Sequence, residues 1–212
     1  MSIIGYIHVC QKGEWQRSFS MLMQRITESE LYNNTKTIRI GVVNDTGVLI
    51  EDEILKDPKF EIVYVGRSEE YERPTLYHMR KMSDVEPENT LYYYLHTKGL
   101  KHFGTEREQN IIDWIQLMLY WNIEKWRSAV DVMVNQGYNT YGCNVAGHYS
   151  GNFWWAKASF IKRLPAIIGD EYHEPENWIC YNYETLYSAF NSGLQGMGHY
   201  DYPYPREMYD RK

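Results

Sequence analysis

Apolar positions along the chain fall into short β-branched runs separated by stretches of helical period. Ile3 to Cys10 is a continuous apolar run that stops at polar Gln11, Lys12 and Gly13, as a buried strand feeding a loop does. From Glu14 onward, Trp15, Phe19, Leu22, Met23 and Ile26 recur at helical spacing, and Asn33 and Asn34 close the segment. Thr37 to Val43 and Phe60 to Val65 predict a second and a third strand, joined by a short helix. Pro74 suits a first helical turn, where its missing N–H costs nothing, and Leu76, Met79 and Met82 carry one face to Asp84. Thr90 to Leu95 predicts a fourth strand that stops at His96, Thr97, Lys98 and Gly99.

The second half is less regular. Glu106 to Trp121 and Glu124 to Asn135 read as helices, the latter closed by Gly137. His148 to Ala156 is a strand-like aromatic run, followed by a helix through Ile161 to Leu164 that Pro165 stops. Glu184 to Asn191 reads as a late helix, and Gly196 to Lys212 as an irregular tail or a linker to a further module. Strands alternating with helices predict one α/β domain over residues 1–212, with a mostly parallel sheet flanked by helices. In such sheets ligands lie beyond the carboxyl ends of the strands, which directs attention to the residues that follow each one.

Composition narrows the classes. Hydrophobic residues at 43% can build a core, and 20 Tyr with 7 Trp exclude a disordered chain. A net charge of −6 gives no overall positive field for nucleic acid or an anionic bilayer, although a local basic pocket is compatible with it. The longest apolar stretch, Ile111 to Ile123, is interrupted by Asp113, Gln116 and Asn122 and is too short to span a bilayer. The opening MSIIGYIHVC lacks a basic region and a cleavage site, so it is expected to be a strand and not a secretion signal. Cys10, Cys143 and Cys180 stand apart, without the paired spacing of a zinc site or disulfide framework, and are expected as reduced, mostly buried thiols.

The loops that open P-loop and Rossmann nucleotide sites are missing, as are GxSxG and HExxH. Four strand-end clusters remain. In Tyr92 to Gly99, Lys98 can neutralise a diphosphate, His96 can ligate a metal or donate a hydrogen bond, and Gly99 allows close backbone approach; a solvated loop is the alternative. In His148 to Ala156, small Ser150 and Gly151 with Asn152 precede Phe153, Trp154 and Trp155, a polar group beside an aromatic platform suited to a sugar; ordinary core is the alternative for at least one of the three rings. Period two would place His148, Ser150 and Asn152 on one face. Glu72 to Leu76 offers a helix N-terminus to an anion, with capping as the alternative for Glu72 and Thr75. In His173 to Trp178, Glu174 or Glu176 can serve as a general base or stabilise an oxocarbenium charge; a surface charge pair is the alternative.

The strings ERPTL, YLHTKG, WRSAV and HYSGNFWWAKASFIKRL, within residues 3–178, together resemble GT-A-fold glycosyltransferases related to bacterial rhamnan-synthesis enzymes and found in algae and large DNA viruses. The resemblance implies a hexosyltransferase that moves a sugar from a nucleotide donor, a UDP-sugar, to a glycan or glycoprotein acceptor, with retention of configuration. It implies a donor site of His8, Gln11, Arg73, Thr75, Leu76, His96, Thr97, Gly99, Ser150 and Gly151. Lys98, Asn152 and Glu176 would be catalytic, and His148, Trp154, Trp155 and Trp178 would face the acceptor. Such enzymes usually hold Mn²⁺ or Mg²⁺ with an Asp-x-Asp after the central strand, whereas His96, Thr97 and Lys98 stand here, so Lys98 would supply part of the cation's charge, with His96 and His199 as candidate metal ligands. Asp84 and Glu86 spell a related pattern before the strand and read as helix-end charges. The expected compartment is the cytoplasm, that of the host if the gene is viral. A non-catalytic carbohydrate-binding domain is the alternative from another class.

Overall fold

The computed structural model describes residues 1–181, 186–194 and 198–210. In chain order the first half contains β1 (Ile3–Cys10), α1 (Trp15–Glu28), α2 (Leu31–Asn34), β2 (Thr37–Asn44), β3 (Phe60–Arg67), α3 (Arg73–Met82) and β4 (Leu91–His96). The second half adds α4 (Glu108–Leu119), α5 (Trp126–Val134), β5 (Thr140–Gly142), β6 (Trp154–Lys157), α6 (Ala158–Ile161), α7 (Glu174–Trp178), β7 (Leu186–Ser188) and α8 (Gly198–Asp201). The seven strands form one sheet in the order β3-β2-β1-β4-β6-β5-β7. It is mostly parallel, as its sequence predicts; β6 alone runs against its neighbours β4 and β5.

Alternation along the strands divides the core into two layers. Ile3, Ile7 and Val9 of β1 and Leu91, Tyr93 and Leu95 of β4 pack with Phe19, Leu22 and Ile26 of α1 and with Ile111, Ile115 and Leu119 of α4. Ile4 and Tyr6, with Tyr92 and Tyr94, face the other way and meet Leu76 and Met79 of α3, Trp154 of β6 and Phe160 of α6. The chain leaves β1 to one side to build β2 and β3 and returns on the other to build β4. The strand order therefore reverses at β1, and the crevice between the carboxyl ends of β1 and β4 is where an open α/β sheet takes its ligands. His8 and His96 stand opposite each other there in the ladder.

Three expectations are corrected. His148 to Ala156 is not one strand: Ser150–Asn152 forms a 3₁₀ turn with Gly151 and Asn152 both at positive φ (56° and 58°), and β6 begins only at Trp154. The glycine and asparagine break the pleat, so His148, Ser150 and Asn152 share no strand face. The expected helix from Glu184 to Asn191 is instead β7 at Leu186–Ser188, pairing with β5; Glu184 itself lies outside the described residues. A three-residue edge strand carries too little pattern to be told from a helical turn. Glu86 is a largely enclosed partner of buried Arg39, at 2.7 Å, and not a helix-end charge. Among the described residues no helix is long and apolar enough to cross a membrane.

Candidate functional site

A cavity of about 630 Å³ opens at the β1–β4 crevice. Its floor contains His8, His96 and Thr97 from the two strand ends, its walls Lys98 and Gly99 from the loop after β4, and its rim Glu72, Glu176, Tyr71 and Tyr172. Lys12 and Lys101 add further cations, so a chain of net charge −6 concentrates lysines here, and His102 lines the same wall with its proton affinity lowered by burial and by Lys101.

The buried base of the site is a chain of hydrogen bonds. His8 Nδ1 lies 2.9 Å from Thr75 Oγ1, and burial holds the imidazole down at about 4, the opposing pull of Glu72 notwithstanding. Thr75 can approach only because position 41 is glycine: a Cβ on Gly41 would stand 2.0 Å from that hydroxyl oxygen. His96 directs Nδ1 to the Thr97 carbonyl at 3.0 Å and Nε2 to the Gly151 carbonyl at 2.7 Å, with Glu72 Oε1 at 3.6 Å from Nε2. The other oxygen of Glu72 accepts from the Tyr94 hydroxyl at 3.1 Å and from the Asn152 amide. Asn152 in turn accepts the Trp154 indole N–H at 2.7 Å. The left-handed pair Gly151 and Asn152 is what turns one carbonyl to His96 and one amide to Glu72.

Lys98 is placed by its backbone, whose N–H and C=O both bond the Ser18 hydroxyl, at 2.9 and 3.1 Å. Its ammonium lies 4.6 Å over the Trp114 ring, and the Trp114 indole donates to Ser150 Oγ at 2.8 Å. Burial lowers the affinity of Lys98 for its proton, while Glu176 and Glu72 pull the other way. Among the described residues no carboxylate comes within ion-pairing distance of this ammonium. Glu176 stands 3.3 Å from His173 Nδ1 and 4.0 Å from His148 Nε2. Burial would raise its carboxyl, but Lys98, then His148 and His96, outweigh that and hold it below the ordinary range.

Of the residues singled out in the sequence, His8, His96, Thr97, Lys98, Gly99 and Glu176 line the cavity together. Ser150, Gly151 and Asn152 lie one layer beneath it and brace Trp114, His96 and Glu72. Thr75 backs His8, and Leu76 is fully buried in the core. Gln11 is spent on structure: its amide donates to the Ile50 carbonyl and accepts from Ile50 N–H and Asn44, which pins the loop after β2. Arg73 points away and clamps the Gly169 and Glu171 carbonyls at 2.8 and 2.7 Å. Trp154 and Trp155 are completely buried, and Trp178 donates to the Pro165 carbonyl from within the core, so none offers a face to an acceptor. The Trp155 indole reaches the Asn122 carbonyl, within the wide π-turn Tyr120–Glu124 that follows α4.

A cation shared by His96 and His199 does not fit these residues. Both ring nitrogens of His96 are directed at carbonyl oxygens, and His199 is buried against Trp114 with Nε2 3.0 Å from Ser192 Oγ. No group of three or more His, Cys, Asp or Glu side chains converges among the described residues. Tyr71, Tyr172, Lys12, Lys101 and His102 were not singled out by sequence, and Glu72 reads there only as part of a helix N-terminus, with capping as its alternative. Glu72 precedes Arg73-Pro74 and imitates a cap, yet its backbone is already helical (φ −80°, ψ −11°) and its side chain makes no capping bond, which frees it for the cavity. No protein-family model matches the chain, and no curated protein matches it.

Proposed function

We propose that the protein is a glycosyltransferase that uses a nucleotide-diphosphate sugar, a UDP-sugar, and that the β1–β4 cavity is its donor site. The observation that carries this reading is the Lys98 ammonium, half-buried over an indole with no carboxylate partner among the described residues. Removing a cation from water without a counter-ion is unfavourable, and a diphosphate would supply one. Lys12 and Lys101 extend the positive surface for the same ligand, and the carboxylates of Glu72 and Glu176 line the cavity with them, suited to the cationic character that the sugar ring acquires as its bond to phosphate breaks. The donor sugar would rest between His96, Glu72 and Lys98, and the leaving diphosphate's charge would be met by Lys98 where a metal is usual. The resemblance of the HTKG and HYSGNFWW strings to rhamnan-synthesis-related transferases supports the same reading.

A melting-temperature screen of UDP and nucleotide sugars, run with Mn²⁺, with Mg²⁺ and with EDTA, tests it. Stabilisation by a UDP-sugar that persists in EDTA and is lost in Lys98→Ala is the expected result. If no nucleotide sugar raised the melting temperature of the wild-type protein in any of these conditions, the reading would be wrong. The exposed Tyr71 and Tyr172 also suit a carbohydrate-binding domain without catalysis, which predicts glycan binding with no contribution from nucleotide.

A further inference from the structure

With Trp154, Trp155 and Trp178 buried, an acceptor sugar must find its apolar surface elsewhere. Two exposed aromatic rings stand on the rim of the cavity, Tyr71 at 41% and Tyr172 at 60% exposure. They come from opposite directions and meet edge to face, with centroids 5.2 Å apart and planes at 88°. Neither position is accidental in the local chain. Tyr71 has φ of +51°, a conformation that costs a bulky residue energy, and it directly follows the 3₁₀ turn Ser68–Glu70. Tyr172 lies on the segment between α6 and α7, which Arg73 grips through the Gly169 and Glu171 carbonyls and Tyr77 grips through Ile168, both bonds at 3.1 Å. Beside this corner stands Glu176, flanked by His173 and His148.

We infer that this rim is the acceptor subsite: a pyranoside packs its C–H face into the corner of Tyr71 and Tyr172 and presents a hydroxyl to Glu176. The inference rests on the transferase reading for its place in the reaction. A pyranose has an apolar face edged by hydroxyl groups, and a ring corner beside a carboxylate matches both parts at once. In the transfer step the acceptor O–H gives its proton to the Glu176 carboxylate, its oxygen forms the new bond to the anomeric carbon, and the bond from that carbon to the diphosphate oxygen breaks with its electron pair leaving on UDP, a single displacement that inverts the anomeric centre where the resemblance implies retention. Lys98 and the neighbouring histidines hold Glu176 in its ionised form, the form in which a carboxylate can take a proton.

The test uses the full chain and two separate titrations. The first follows UDP binding by melting temperature. The second, at saturating UDP, follows p-nitrophenyl glycosides of α- and β-configured glucose, galactose, mannose and rhamnose by saturation-transfer NMR. At least one glycoside is expected to bind the wild-type protein. Its affinity should fall about tenfold in Tyr172→Ala and in Tyr71→Ala and survive in Tyr172→Phe, while the UDP response stays unchanged in all three. Equal glycoside affinity in wild type and both alanine variants, or no glycoside binding to the wild type, overturns the subsite. A loss of UDP affinity in Tyr172→Ala with glycoside binding intact also overturns it and gives the ring to the nucleotide. Failure of the wild type to bind UDP overturns the transferase reading instead, and the glycoside titration without nucleotide then decides the rim by itself.

Discussion

One face of the sheet carries a polar network at each end, and the two differ in how their charges are met. Where the strands begin, Arg39 of β2 reaches Glu86 at 2.7 Å, Glu61 at 3.2 Å and the Tyr6 hydroxyl at 2.8 Å, while Tyr92 donates to the second oxygen of Glu86. All three guanidinium nitrogens of Arg39 have partners, and of its two carboxylates Glu86 is largely enclosed while Glu61 stays at the surface. Where the strands end, Tyr94 and Asn152 satisfy one oxygen of Glu72, but its other oxygen and the Lys98 ammonium face the cavity. Both networks use tyrosines of β4 two residues apart, so the same pleat builds a closed cluster and an open one. A closed cluster contributes to holding the fold; an open one keeps its unmatched charge for something that arrives later.

The sharpest way to break the comparison is at the closed end. Arg39→Met strands the Glu86 carboxylate in the interior and should destabilise the protein by about 3–5 kcal/mol, read by urea unfolding, with UDP affinity of the folded fraction unchanged. At the open end Lys98→Ala should do the reverse: transfer should fall by about 10²–10³, while the unfolding midpoint stays within about 1 kcal/mol of wild type. Near-normal transfer by a folded Lys98→Ala protein would remove the charge role assigned to this residue.

Acid should separate the ends as well. His8 and His199 are held neutral at about 4 by burial, against an ordinary 6.5, so below pH 6.5 the unfolded chain binds protons that the native state refuses. Stability should therefore drop as pH falls from 6.5 to 4, by at most about 1.4 kcal/mol per pH unit for each histidine, and level off below. His8→Asn should flatten that slope in a pH series of urea midpoints, and an unaltered slope would mean His8 does not titrate this way. The smallest effect concerns the exposed Lys12–Asp45 pair, 2.5 Å apart. Asp45→Ala should leave the urea midpoint essentially where it is, because solvent screens the pair, and should strengthen UDP binding slightly, read by melting temperature, by freeing Lys12 for phosphate.

The periodic parts of this architecture were legible in the chain. The four early strands and α1, α3, α4 and α5 follow from β-branched runs and helical spacing, and the rule that ligands sit beyond strand ends points to His8, His96 and Lys98, which line the cavity. What failed was direction. HYSGNFWW reads as a sugar platform, yet two left-handed residues fold it under the cavity floor and send both tryptophans into the core. Arg73 and Glu72 are neighbours in sequence but face opposite sides of the start of α3, so the one expected to bind became a clamp and the one expected to cap became part of the cavity. Tyr71 and Tyr172 lie 101 positions apart, and no local pattern could have brought them together.

Gly151 has a consequence for anyone wishing to redirect this protein. A Cβ there would stand 2.4 Å from Met118 Sδ and 3.0 Å from Lys98 Cε, so the absence of a side chain sets how deep the lysine can settle. The tyrosine corner hangs on a different stretch of backbone, tethered through Arg73 and Tyr77. The side chain of Tyr172 is therefore the place to vary in search of new partners, whereas residue 151, whose neighbour Asn152 holds Glu72 between Tyr71 and Arg73, belongs among the positions a library leaves alone.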